Sequence, residues 1–442
     1  MRPPRFGRLV PPLLRDRTFR RYWTGQTISL FGDQVSILAL PLTAILVLHA
    51  GAAETGYLTA AGLVPSLLFS VLAGGWVDRK GHRRRVMLGA DIARGVLLAS
   101  VPITYFAGVL TFAQLYAVAF LVGCASVLFN VAQSTVFASI VRPSEYVDAN
   151  SLIHGSRALS FVGGQSASGV LVQLVTAPGA IAFDAASFLC SALFLRRIHP
   201  SEPATAAGGR GHLLEGVRFI VHSREVRALL GSTATINVFG FMSTAIFVLY
   251  ATRGLGLTPA ELGLVLGAGA VGAVAGAALT SRVARRLGVG GAFTLSCILF
   301  PAPFILIPVA GGGMSKPVVL ALLFGAEFGS GVGVVMLDIT IGAILTATVP
   351  ATLRARVSGA YSTINYGLRP VGALVGGTLG GTLGLRPTMW IASIGGLLGV
   401  LWLLPSPLPH MRTLPELDDA ADDVPAARRD QVTGTKSGPT SS

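Results

Sequence analysis

The sequence predicts an all-α membrane protein with twelve transmembrane helices in two six-helix halves. Three observations carry that expectation. Of 442 residues, 52% are hydrophobic and only 12% charged, against roughly 25% charged in a soluble domain, which excludes a soluble enzyme and a disordered chain. The apolar residues fall into twelve runs near the roughly 20 residues needed to cross a bilayer. The basic residues gather in every second connection between those runs, as cytoplasmic loops do.

In chain order, the basic leader (1–21) shows no small-residue cleavage signature before the first apolar run, and reads as a retained cytoplasmic segment rather than a signal peptide. The N-terminal bundle (22–195) takes Tyr22 to Leu48, Gly56 to Val77, Val86 to Val109, Phe112 to Val141, Ser151 to Val175 and Pro178 to Leu195. A polar linker (196–227) follows. Its Gly-, Ala- and Pro-rich piece, Ser201 to Gly211, predicts a flexible connection, and the amphipathic stretch Leu213 to Val221 predicts a helix lying on the membrane surface. The C-terminal bundle (228–404) takes Ala228 to Ala251, Glu261 to Val283, Gly291 to Ala310, Pro317 to Val349, Val357 to Leu383 and Thr388 to Leu404. Residues 405–442 are rich in Pro, Asp and Ser, the composition of a disordered cytoplasmic tail.

With both termini in the cytoplasm, inside segments hold 29 of the 34 Lys and Arg, and outside loops hold only Arg253, Lys316 and Arg386. An odd number of spans would scramble that alternation. The chain also repeats itself at half its length. Ile28, Phe31 and Gly32 recur as Ile236, Phe239 and Gly240 at an offset of 208, and Arg79 and Gly81 recur as Arg286 and Gly288 at an offset of 207. A parallel duplication of this kind places a substrate site between the halves, near the bilayer midplane.

Several function classes fall away. The formal charge of +14 sits in short clusters between apolar runs, so membrane topology explains it better than nucleic acid. Cys124, Cys190 and Cys297 all lie in apolar segments and read as packed thiols, with no disulfide framework or metal site. The glycine-rich runs on the eighth and eleventh spans follow no strand and precede no Gly-Lys-Ser/Thr, so no phosphate loop and no ATP-driven pump is expected. Hydrolase and metalloprotease signatures are missing too, and no cofactor is implied. Arg outnumbers Lys 31 to 3, which suggests a GC-rich bacterial genome and a bacterial cytoplasmic membrane.

One loop carries a family resemblance. Gly74, Gly75, Trp76, Val77, Asp78, Arg79, Lys80, Gly81, His82, Arg83, Arg84 and Arg85 resemble the signature G-x-L-a-D-R-x-G-R-K of the major facilitator superfamily. Its fixed positions fall on Gly74, Asp78, Arg79, Gly81 and the basic pair His82 and Arg83. Phe19-Arg20-Arg21-Tyr22-Trp23 leading to Gly32-Asp33, Asp91 with Arg94, Ala149-Asn150, Asp184 before Ser187-Phe188, and Pro370 with Gly372 are similar to the drug and siderophore exporter branch. The resemblance covers residues 15 to 405. It implies that Gly74, Asp78, Arg79, Gly81, Arg83, Asp91 and Arg94 form a conformational latch that holds the outward-facing state. There are departures. The second-half loop has Arg285 in place of Asp78, and the fifth span reads Gly163-Gly164-Gln165-Ser166-Ala167-Ser168-Gly169 where the antiporter signature carries Gly-Pro.

Charges inside spans cost about 2.5–3.5 kcal/mol each on insertion scales, so each needs a reason. Asp33, Glu327 and Arg369 fall near mid-depth, and Asp338 falls in the inner half of the tenth span. Asp91 and Arg94, spaced i and i+3, pair most simply with each other or with the latch. Asp184 reads as a hydrogen-bonding group near the outer face. In the family, the first and tenth spans line the central cavity, which makes Asp33, Glu327 and Asp338 the candidates for proton coupling. No histidine lies mid-span. Asp33, with no basic residue at its depth on its own helix, is the expected carrier, whereas Glu327 has a possible ion-pair partner in Arg369. Asn130, Gln133, Gln165, Asn237, Tyr361, Asn365, Tyr366 and Arg369 are the polar candidates of a mostly apolar cavity. Such a cavity suits a bulky hydrophobic or amphipathic small molecule better than a sugar. The expected activity is secondary export by alternating access, as a monomer, with protons and membrane lipid as the other partners. Lipid or lysolipid movement or uptake by the same fold is the alternative transport reading. A non-transporting receptor or scaffold would not need the midplane acids.

Overall fold

In the computed structural model, which describes residues 12–198, 212–311 and 313–413, long helices start where the sequence offers a cap. Asp16 accepts from the Thr18 and Phe19 amides at 2.7 and 2.8 Å and opens α1 (Arg17–Leu46), which satisfies donors that would otherwise be orphaned. After it come α2 (Ala52–Lys80), α3 (Arg83–Phe106), α4 (Phe112–Ile140), α5 (Tyr146–Val175) and α6 (Ala177–Arg196). Then follow α7 (His212–His222), α8 (Arg224–Leu249), α9 (Pro259–Leu299), the short α10 (Leu306–Val309), α11 (Lys316–Thr348), α12 (Arg354–Gly367), α13 (Arg369–Thr382) and α14 (Leu385–Leu397). No strand occurs among the described residues, as expected of a backbone that must satisfy itself in lipid.

The helices differ from the expected spans in three places. The eighth and ninth spans run on as one helix, α9, broken only at Gly288, whose φ of 79° is open to glycine and strained for other residues. Gly81, its counterpart in the first half, also has a positive φ, 59°. The eleventh span is two helices, α12 and α13, meeting at Leu368, and the twelfth ends in a 3-10 segment, Leu398–Leu403. The third difference concerns the tail. Leu408 is fully buried and the Met411 carbonyl accepts from the Gly290 amide at 2.9 Å, so residues 405–413 dock on the start of the ninth span. The leader 1–11, the piece Ser201 to Gly211 and residues 414–442 lie outside the described residues.

Packing separates two ends of the molecule. α1 lies on α5 and α6, α4 on α2 and α3, α8 on α13 and α14, and α11 on α9. The halves meet most extensively through α5 with α9 and α2 with α13, and also through α2 with α8 and α12 and α1 with α8. At the end away from α7, a single apolar core joins both halves. It includes Leu38, Leu42 and Ile45 of α1, Ile181 and Phe188 of α6, Ile246 of α8, Leu262 of α9 and Leu323 of α11. At the end that carries α7, each half keeps its own core: Met87, Phe129 and Leu195 in one, Phe293, Ile344 and Tyr361 in the other. The bundle is closed at one end and divided at the other.

Candidate functional site

Two glycine contacts close the joined end. A Cβ added to Gly56 would lie 2.7 Å from the Gly377 Cα, and one added to Gly263 would lie 2.8 Å from the Gly169 Cα. Gly56 and Gly263 are 207 residues apart and Gly169 and Gly377 are 208 apart, so the repeat places equivalent glycines on both sides of the seam. Only glycine lets backbones come so close. Beside them the Arg253 guanidinium donates to the Ile45 carbonyl at 3.2 Å, from one half to the other.

Behind this seal the expected polar residues are held in pairs. On the N-terminal side, Gln133 of α4 donates to Gln26 of α1 at 2.9 Å, and Gln165 of α5 donates to Gln34 of α1 at 3.3 Å. On the C-terminal side, Asn237 of α8 donates to Asn365 of α12 at 3.0 Å and accepts from Arg369 Nε at 3.0 Å. The Arg369 guanidinium lies 4.1 Å from the Tyr366 ring centroid and 4.9 Å from that of Phe241, and interacts electrostatically with Asp338. Tyr361 and Thr233 share a hydrogen bond of 2.7 Å. Asn130, Asp338 and Tyr366 are exposed.

Sequence reasoning missed Gln26, Gln34, Thr233 and Phe241. Gln26 and Gln34 were legible as polar residues in the first apolar run, but their partners lie more than a hundred residues away. One possibility raised for the acids is corrected. Glu327 and Arg369 form no ion pair. Arg369 is taken up by Asn237 and its two aromatic neighbours, and Glu327 packs against Gly269 of α9, with no hydrogen bond or ion pair to any described residue. Asp33, in turn, is not electrostatically alone. Its helix contributes no cation at that depth, but α3 brings Arg94 and Asp91 into range, and Asp184 of α6 stands beside it. Asp184 is fully buried, and accepts from Ser36 of α1 and from Ser187 at 3.0 Å.

Asp91 and Arg94 do form an ion pair, with Asp91 wholly buried. The Arg94 guanidinium is sandwiched between Phe129 and Phe188, 4.3 and 4.1 Å from their centroids, where cation–π attraction offsets part of its desolvation. Of the other residues expected to form the latch, Gly74 has open space around it, Gly81 makes the turn, Arg79 is exposed and Arg83 is buried. The side chain of Asp78 lies outside those described.

Comparison with known proteins adds to this geometry. The sequence pattern described as Major Facilitator Superfamily matches residues 22–371. The chain is similar to the multidrug efflux pump Tap of Mycolicibacterium fortuitum, 25% identical over 409 residues that span 87% of this chain and 93% of that one. To Tap of Mycobacterium tuberculosis it is 27% identical over 385 residues, 81% and 85% of the two chains. Among solved structures, a bacterial homologue of the iron transporter ferroportin in an inward-facing state superposes with a TM-score of 0.74 at 16% identity, covering 89% of this chain and 99% of that one. The nucleoside transporter NupG gives 0.69 at 14% identity, covering 88% and 98%.

Proposed function

We propose that this chain, which belongs to the major facilitator superfamily, exports hydrophobic or amphipathic small molecules across the cytoplasmic membrane in exchange for protons. It is a multi-pass membrane transporter and not an enzyme. The observation that carries the proposal is the unequal packing of the two ends, one shared core against two separate cores. An alternating-access transporter closed on one side has that form. The polar pairs at the divide offer few hydrogen bonds among Phe, Leu and Val, which suits a largely apolar cargo. The multidrug efflux pumps that resemble it over most of its length support the same substrate class and direction. A growth-inhibition panel in an efflux-deficient host, followed by direct transport of each hit, tests the reading. It fails if no compound is moved.

We place the domains at 22–195 and 228–404, with the linker between them, both termini in the cytoplasm and a single chain as the working unit. The divided end then faces inward, and Asp78 with its basic turn serves as the latch when that end closes. Single cysteines in a cysteine-free chain, one between Gly51 and Thr55 and one between Ser201 and Gly211, are expected to label from opposite faces. Labelling of both from outside would reject this topology.

For coupling, Glu327 rather than the expected Asp33 is the stronger candidate, because a carboxylate with no ion-pair partner among the described residues is free to exchange its proton as access alternates, whereas Asp33 feels Arg94. Glu327→Gln is expected to reduce pH-gradient-driven accumulation in everted vesicles to the level seen without a gradient, while downhill exchange survives. If accumulation persists in the double variant Asp33→Asn, Glu327→Gln, neither acid carries the proton. Asp338 or a uniport mechanism would then remain.

A further inference from the structure

Where α2, α3 and α4 come together at the divided end lies a groove of about 490 Å³, beside the turn read as the latch, whose lining the transport reading assigns to neither cargo nor proton. One wall is a stripe along α3. Arg85, Gly89 and Ala93 stand four residues apart, which puts them on one helix face. Ala125 and Leu128 of α4 and Trp76 of α2 complete the lining. Below Arg85 the lining is apolar and small. A Cβ built on Gly89 would meet nothing within 4 Å, so the groove runs directly over that backbone.

The charge at its mouth is one-sided. Residues 78–85 hold five basic side chains and one acid. Arg85 is exposed, and its side chain makes no hydrogen bond or ion pair with any described residue. Its guanidinium therefore keeps its five donors for a ligand outside the protein. An apolar trough along a membrane-spanning surface, topped by an uncommitted guanidinium in a basic turn, complements one kind of bilayer component, an acyl chain joined to an anionic phosphate.

We propose that this groove binds an anionic phospholipid, with its phosphate on Arg85 and an acyl chain laid over Gly89 and Ala93 against Leu128. The site stands whether or not the export reading holds, since none of these residues is assigned to cargo or proton. It ties the lipid composition of the membrane to the turn between α2 and α3.

Trp76 provides the test. The full chain is reconstituted into phosphatidylcholine nanodiscs doped with a lipid brominated on its acyl chains, either phosphatidylglycerol or phosphatidylcholine at equal mole fraction. The quenching that disappears in Trp76→Phe is the part that occurs at the groove. Brominated phosphatidylglycerol is expected to reach a given quenching at about one fifth the mole fraction that phosphatidylcholine needs, the factor that one basic residue near the surface contributes. Arg85→Ala should erase that preference. Gly89→Leu, whose side chain enters open space rather than a neighbour, should fill the groove and lower quenching by both lipids. Equal quenching by the two lipids in the unaltered chain overturns the proposal. A preference that survives Arg85→Ala overturns it as well.

Discussion

Gly56→Leu and Gly169→Leu are each expected to lower transport by about tenfold or more while leaving both bundles folded. A leucine at either position meets backbone rather than a yielding side chain, and overpacking of that kind costs roughly 1–3 kcal/mol. The cost falls on the sealed state alone, because the contact exists only where the halves touch. The balance should therefore shift toward the state open at that end, in proportion to the difference between the two states. Two measurements check it: efflux rate, and the accessibility of a cysteine placed beside the seam, which should rise in the variant. Because the repeat puts equivalent glycines on both sides, the two substitutions should act alike. Transport at the unaltered rate in both, with unchanged accessibility, would mean that the seam does not govern access.

The second large effect is on folding. Arg94→Leu removes the cation that Asp91 pairs with and that Asp33 and Asp184 both feel. Leaving a buried charge without its partner costs roughly 3–5 kcal/mol, a large share of the roughly 5–15 kcal/mol that holds a typical protein together. The yield of monodisperse protein after detergent extraction should fall steeply. Arg94→Lys should recover only part of it, since an ammonium cannot lie flat between Phe129 and Phe188 as the guanidinium does. The double variant Arg94→Leu, Asp91→Leu should recover more, because replacing both members of a buried pair by apolar groups is often neutral. Equal yields in the single and double variants would show that Asp91 is not what Arg94 compensates.

Much of the fold was legible because membrane insertion is decided locally. Each span is a contiguous apolar run, and the positive φ shared by Gly81 and Gly288 follows a repeat visible at an offset of 207. The docked segment of residues 405–413 was not legible. Its composition is that of a tail, and only the contact of Leu408 and Met411 with the ninth span holds it.

The site divides in the same way. That Asp33, Glu327, Asn237 and Arg369 were candidates followed from the cost of polar groups in lipid, which needs no partner to be known. Which groups they join did not follow. Gln26 meets Gln133 across 107 residues and Gln34 meets Gln165 across 131. Arg369 turns to Asn237 rather than to Glu327, and Asp33 comes within range of Arg94 and Asp184. By itself the sequence determined how many times the chain crosses, where it turns and which residues carry a burden in the membrane, all properties of short segments. Only the tertiary structure decided the rotation of each helix about its axis and the end at which the halves close. Both are set by packing between segments far apart in the chain, where the absence of a Cβ at Gly56, Gly169, Gly263 and Gly377 lets the backbones meet.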